Sequence, residues 1–247
     1  MAIINTCKKK LLKGEPAIGA WLSMGSPIAA EIVANAGYDA VIMDHEHGPG
    51  DFLNAISLMQ AAAEAGPTPM MRVPWNDTVY IKRALDIGVM GIIVPYVQNA
   101  DEARAAVDAC HYPTAGIRGV APHAARCSRW GARIDEYRQA VPKQILLMCQ
   151  IETAEAVENI EEIAAVDGVD MLTVVSEGIF SYCGVKVKID TDRYLGPEQA
   201  SVRCDGEEIG HVTTAEYGSQ MLSLGGVRHL TGGAKREGTV TCKAMLD

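Results

Sequence analysis

Aromatic side chains are scarce in this chain, with 2 Phe, 3 Trp and 8 Tyr among 247 residues. That leaves little from which to build a stacking platform for single-stranded nucleic acid. Positive charge is also in deficit, with 22 Lys+Arg against 31 Asp+Glu and a net charge of −9. The densest basic run is Lys8-Lys9-Lys10. Without a basic surface to neutralise phosphates, nucleic acid is excluded as a partner. No CxxC occurs, and the 7 cysteines (Cys7, Cys110, Cys127, Cys149, Cys183, Cys204 and Cys242) are scattered and odd in number. Neither a disulfide framework nor a structural zinc site is expected. No apolar run reaches the roughly 18 residues that a membrane span needs. The start, Met1-Ala2-Ile3-Ile4-Asn5, lacks a charged segment followed by a long apolar one, so no secretory signal is read. A cytoplasmic protein is expected, with no membrane partner.

The rest of the composition, 48% hydrophobic and 21% charged, is that of a globular protein. Short apolar runs alternate with amphipathic stretches. Strands are read at Ile18–Leu22, Ala40–Met43, Pro69–Val73, Gly91–Pro95, Ile145–Gln150 and Asp170–Val175. Between them, Ser26-Pro27 opens a helix that ends at Gly37, and another runs from Asp51 to Ala65. Asn76-Asp77 caps a helix to Ile87, Asn99 caps Ala100–Cys110, and Thr153–Ala165 is helical. Tyr112–Arg133 reads as a loop. Farther on, Val185–Ile189 alternates like a strand, Ala215–Leu224 looks helical, and Val227–Gly233 offers a last strand. Apolar strands alternating with helices mean a parallel sheet covered on both faces. The expected fold is α/β, a (β/α)8 TIM barrel forming a single domain over 1–247, with an irregular segment after the seventh strand. A doubly wound sheet is the alternative, but no GxGxxG follows the first strand.

In such a barrel the chemistry sits at the C-terminal ends of the strands. The second strand ends in Asp44-His45-Glu46-His47-Gly48-Pro49, the third presents Arg72, and the sixth ends in Gln150-Ile151-Glu152. His47 suits a general base, since imidazole in general titrates near neutral pH. His45 and His47 can equally be read as a pair of metal ligands, or the whole turn as solvated surface. Arg72, inside an apolar strand, needs an anionic partner, either a substrate oxygen or a structural acid. Glu152 is a hard oxygen donor for Mg²⁺ or Mn²⁺, or simply a helix N-terminal acid. Asp86, before Gly88, could orient the His47 imidazole.

Several stretches together resemble the HpcH/HpaI family of class II, metal-dependent pyruvate aldolases. They are Gly19-Ala20-Trp21, Asp44–His47, Arg72 through Trp75-Asn76-Asp77, Pro95-Tyr96-Val97-Gln98-Asn99-Ala100, Tyr112-Pro113 to Gly116-Ile117-Arg118-Gly119, Ser128-Arg129-Trp130 and Gln150-Ile151-Glu152-Thr153. They cover residues 17 to 172. The resemblance implies a carbon–carbon lyase that cleaves a 2-keto-3-deoxy or 4-hydroxy-2-oxo acid to pyruvate and an aldehyde through a metal-stabilised enolate. It implies a divalent metal (Mg²⁺, Mn²⁺ or Co²⁺) held by Glu152, catalytic roles for His47, Arg72 and Asp86, and substrate contacts from Trp21, Gln150, Val175 and Ser176. A small-molecule oxo acid and an aldehyde are the implied ligands, and a homo-oligomer, most often a hexamer, the implied assembly. The pattern breaks after the seventh strand. Where the family reads Gly-Pro-x-Asp-Leu-Ser, this chain reads Val175-Ser176-Glu177-Gly178-Ile179-Phe180. The second metal-ligand position therefore carries Gly178, with Glu177 as the adjacent substitute, and 173–210 diverges from the family. Enolate condensation of the citrate-synthase type on the same barrel, or a degenerate homologue with a binding or assembly role, are the alternatives.

Overall fold

The computed structural model describes residues 3–174 and the segments 187–189, 200–204, 207–214, 220–224 and 240–244. Its first half is built from strand–helix units. Helix α1 (Thr6–Leu11) is followed by β1 (Gly19–Leu22), α2 (Pro27–Asn35), β2 (Ala40–Asp44), α3 (Phe52–Ala62), β3 (Thr68–Arg72), α4 (Thr78–Asp86), β4 (Gly91–Val94) and α5 (Ala100–Cys110). A loop with a short 3₁₀ turn (Arg126–Ser128) leads to α6 (Ile134–Gln144), β5 (Leu146–Ile151), α7 (Ala154–Glu158), α8 (Ile160–Ala164) and β6 (Met171–Val174). The helices start where a side chain satisfies a free N–H. Ser26, Asp51, Asp77, Asn99 and Thr153 each accept from the backbone three residues on. Asn159 divides the expected Thr153–Ala165 helix into two short ones.

Strands β1 to β6 form one parallel sheet in sequential order. Side chains alternate across it with period two. One set (Val41, Met43, Met71, Val73, Ile92, Val94, Leu147, Cys149 and Ile151) packs against the helices in the larger core. The other set (Ala40, Ile42, Met70, Ile93 and Leu146) joins Cys7 of α1 in a second core on the opposite face. Helix α1 therefore plugs the end where the strands begin. Asn5, 1% exposed, donates to the carbonyls of Met90 and Gln144, and the Cys7 N–H donates to Thr68. The opposite end, where the strands finish, is left for polar residues.

Six parallel strands in sequential order are consistent with part of a TIM-like barrel. Three expectations need correction. The strand that delivers Gln150 and Glu152 is the fifth, not the sixth. Val187–Ile189 is a strand, β7, but it belongs to a second sheet with β8 (Ala200–Cys204), β9 (Glu207–Thr214), β10 (Gln220–Leu224) and β11 (Val240–Ala244), in the order β10-β9-β8-β11-β7. Within the expected helix Ala215–Leu224, Gln220–Leu224 is instead a strand antiparallel to β9, its extended backbone held by cross-strand pairing. The expected strand Val227–Gly233 lies outside the described residues. Among the described residues no helix is long and apolar enough to cross a membrane.

Candidate active site at the C-terminal ends of the strands

The inner-face alternation explains which side chains gather. On β2 it runs Ala40, Ile42, Asp44. On β3 it runs Thr68, Met70, Arg72, and on β5 Leu146, Met148, Gln150. Each series is apolar in the middle and polar at its last member. The parallel register sets Asp44 directly beside Arg72. The Arg72 Nε donates to Asp44 Oδ1 at 3.0 Å and its Nη2 to Asp44 Oδ2 at 2.7 Å, a bidentate pair. Its Nη1 lies 3.0 Å from Glu46 Oε2, a charge contact out of line for a hydrogen bond. The Trp21 ring covers the guanidinium face at 4.7 Å.

The carboxylates differ. Burial pushes the Asp44 carboxyl up, but the hydrogen bonds and charge of Arg72 and the N–H groups of His47 and Glu46 outweigh it, so its pKa lies below the usual carboxylate value. Glu152 goes the other way. Burial and then the charge of Glu46 raise it, against the pull of Arg72 and His47. Glu152, Glu46, Arg72 and His47 thus lie within each other's field. Gln150, 1% exposed, donates from Nε2 to Glu152 Oε1, and its own buried Oε1 has no hydrogen-bond partner among the described residues.

His47 is open to solvent, its side chain 72% exposed, with Nε2 3.7 Å from Glu46 Oε1. His45 is its opposite. It is buried, its Nδ1 lies 3.1 Å from the Tyr80 hydroxyl, and burial lowers its pKa against the pull of Asp44 and Asp51. The two histidines therefore do not form a ligand pair. Among the described residues no three His, Cys, Asp or Glu side chains cluster as a metal site would need.

The expected His47–Asp86 pair is not formed within the chain. Asp86 is the last residue of α4, and a helix that follows a strand runs back along the sheet. Over nine residues that is about 13 Å. Asp86 thus lies toward the end where the strands begin, and its Oδ1 accepts from Arg118 Nη2 at 2.7 Å. Val175, Ser176, Glu177 and Gly178 lie outside the described residues. Two residues that the sequence left without a role, Asp44 and Glu46, turn out to hold Arg72. The only signal for them was their place right after an apolar strand run; the register that aligns Asp44 with Arg72 is not written in the sequence.

The sequence matches the HpcH/HpaI aldolase/citrate lyase family over residues 17–188. The chain belongs to this family. It is 46% identical over 166 residues to a 4-hydroxy-2-oxo-heptane-1,7-dioate aldolase of Escherichia coli, a match that covers 67% of the chain. The chain spans 63% of the length of that relative. Among solved structures it is similar to an HpcH/HpaI aldolase/citrate lyase family protein from Burkholderia cenocepacia J2315, at 37% identity and TM-score 0.69, covering 73% of this chain and 72% of that one. It is also similar to the citrate synthase SbnG, at 28% identity and TM-score 0.63, covering 73% and 69% of the two chains. Enzymes of this family are in general dependent on a divalent metal.

Proposed function

We propose that the protein is a carbon–carbon lyase that cleaves a 2-keto-3-deoxy or 4-hydroxy-2-oxo acid into pyruvate and an aldehyde through a pyruvate-type enolate. The observation that carries this reading is the bracketed Arg72. A guanidinium held by Asp44, flanked by Glu46 and roofed by Trp21, faces the end of the sheet where Glu152 and His47 also lie. A cation fixed in this way is suited to an oxygen that becomes an enolate, because its donors need no reorganisation as charge develops. The exposed His47 imidazole is placed to take or return a proton. In this reading Trp21 and Gln150 shape the substrate pocket, with Val175 and Ser176 completing it.

The donor set suits a hard divalent cation in kind. Glu152 is a carboxylate whose charge is disfavoured by burial and by Glu46, and a cation would relieve that. Glu152, with Glu177 as a second carboxylate beside Gly178, would hold Mg²⁺, Mn²⁺ or Co²⁺, and the ion would supply Lewis-acid stabilisation of developing negative charge. In this reading Asp86 keeps the role of orienting a His47 imidazole, although within its own chain it meets Arg118. The same reading takes the six-stranded sheet as part of a closed (β/α)8 barrel in a single domain, working as a cytoplasmic homo-oligomer, most simply a hexamer. The likeness to a citrate synthase supports a second reading, in which the same enolate condenses with an oxo acid instead of leaving an aldehyde.

The test is exchange of pyruvate methyl protons with solvent deuterium, followed by NMR with added Mn²⁺. Exchange that appears with metal and falls steeply in Arg72→Ala and Glu152→Ala is expected. Exchange that survives exhaustive chelation, or no exchange at all, overturns the reading. Product analysis with aldehyde and oxo-acid acceptors separates lyase from condensing enzyme, and light scattering that finds a monomer at micromolar concentration removes the oligomer.

A further inference from the structure

We infer that Asp44 is the positioning residue of the site, one carboxylate that fixes both the Arg72 guanidinium and the backbone carrying His47; this rests on the enolate reading of those residues. Asp44 is the last residue of β2 and is 6% exposed. Its Oδ1 accepts from Arg72 Nε at 3.0 Å, from the Glu46 N–H at 3.1 Å and from the His47 N–H at 3.2 Å. Its Oδ2 accepts from Arg72 Nη2 at 2.7 Å. A carboxylate offers about four lone-pair sites, so four donors leave it close to saturated. A buried, saturated carboxylate is a poor proton carrier, and its contribution is geometric.

Two further contacts make the hold rigid. The His45 N–H donates to the Arg72 carbonyl at 2.9 Å, which ties the turn to β3 at the same level. Gly48 closes the turn so tightly that a Cβ there would stand 2.3 Å from the Asp44 carbonyl oxygen. The general base and the cation therefore sit on one frame, and Asp44 is where that frame is pinned. With the Nε–Nη2 edge occupied by Asp44, rotation of the guanidinium about its own stem is blocked.

The test uses the full chain and four variants: Asp44→Asn, Asp44→Ala, Arg72→Ala and the double Asp44→Ala/Arg72→Ala. The first readout needs no activity. With ¹⁵N-labelled arginine, the Arg72 Nε–H resonance is expected to be slow to exchange with water in the wild type and lost to fast exchange in Asp44→Asn. An unchanged signal overturns the inference. Asp44→Asn keeps the shape of the side chain, so it serves even where Asp44→Ala does not fold. The second readout is metal-dependent pyruvate exchange. Asp44→Asn is expected to lower kcat about 100-fold with a much smaller change in KM, and the double variant to be no slower than Arg72→Ala alone. Free guanidinium is expected to restore part of the Arg72→Ala rate where Asp44 is present and none in the double variant. Additive losses, or rescue that ignores Asp44, overturn the inference, because a merely structural acid would give those. Absence of exchange in the wild type removes the enolate reading instead, and the Arg72 resonance alone then decides whether Asp44 holds it.

Discussion

Two Arg–carboxylate pairs lie toward opposite ends of the same sheet, and they are built differently. Arg72 has a side chain 14% exposed, with both nitrogens of one edge on Asp44, the third nitrogen beside Glu46, and Trp21 over its face. Arg118 is fully buried. Its Nη2 donates to Asp86, and its Nε and Nη1 have no hydrogen-bond partner among the described residues. The rings of Tyr112 and Tyr137 flank it at 4.5 and 5.6 Å. Burial pushes the Tyr112 hydroxyl up to about 12, against the pull of Arg118, so that ring stays neutral. Arg72 is thus a cation whose position is set by hydrogen bonds at an open end. Arg118 is a cation set by packing, and it fastens the 111–133 loop to the end of α4. On the proposed function, the difference separates a residue kept for chemistry from one kept for the fold.

Arg118→Ala is the largest test of that contrast. It leaves a void between two tyrosines and strips Asp86 of its partner, for an expected loss of about 3–5 kcal/mol of stability. Urea denaturation reads this, and the pyruvate exchange rate per folded molecule should hardly move. A cost under about 1 kcal/mol would mean that the buried pair is not what fastens the loop. Arg72→Ala should do the reverse. Exchange should fall by about 10²–10³, with a smaller stability cost than Arg118→Ala, since water at the open end reaches the freed carboxylates. Equal destabilisation by the two variants would erase the distinction.

Gly48→Ala asks whether the turn after Asp44 is as rigid as the contacts imply. Its methyl group would meet the Asp44 carbonyl, which cannot yield without moving β2, so a loss of about 1–3 kcal/mol and a slower exchange are expected from the same two assays. The smallest effect concerns acid. The Asp44 pKa is lowered in the folded state, so its pairing stabilises the protein fully above the usual carboxylate value of about 3.9. That contribution is lost as the pH falls through the lower, folded-state value. Stability measured from pH 7 down to pH 2 should therefore show a steep acid-side slope in the wild type, and a shallower one in Arg72→Ala. Parallel slopes would show that Arg72 does not set the Asp44 titration.

Much of the first half of the fold was legible in the sequence. Caps such as Ser26, Asp77, Asn99 and Thr153 mark helix starts because each satisfies a free N–H locally, within three residues. Strands β2 to β5 were legible as apolar runs buried on both faces, and β1 and β6 as shorter apolar runs that are only partly buried. Helix α6 was not read, having no side-chain cap and carrying Pro142 within it. Helix α1 was passed over for its length, six residues with three lysines, although Asn5 caps it.

By itself, then, the sequence determined the strand–helix alternation, the family, and the polar residues Asp44-His45-Glu46-His47, Arg72 and Gln150-Ile151-Glu152 at strand ends. These follow from periodicity and capping, which act over a few residues. Only the tertiary structure decided which of them meet. That Asp44 pairs with Arg72 depends on a strand register 28 residues apart in the chain. That His45 turns inward to Tyr80 while His47 faces water depends on what each finds on its side of the turn. That Asp86 meets Arg118 within the chain depends on the direction in which α4 runs back along the sheet. Each is a contact between residues distant in sequence, and the pattern of a single segment carries no record of its partner.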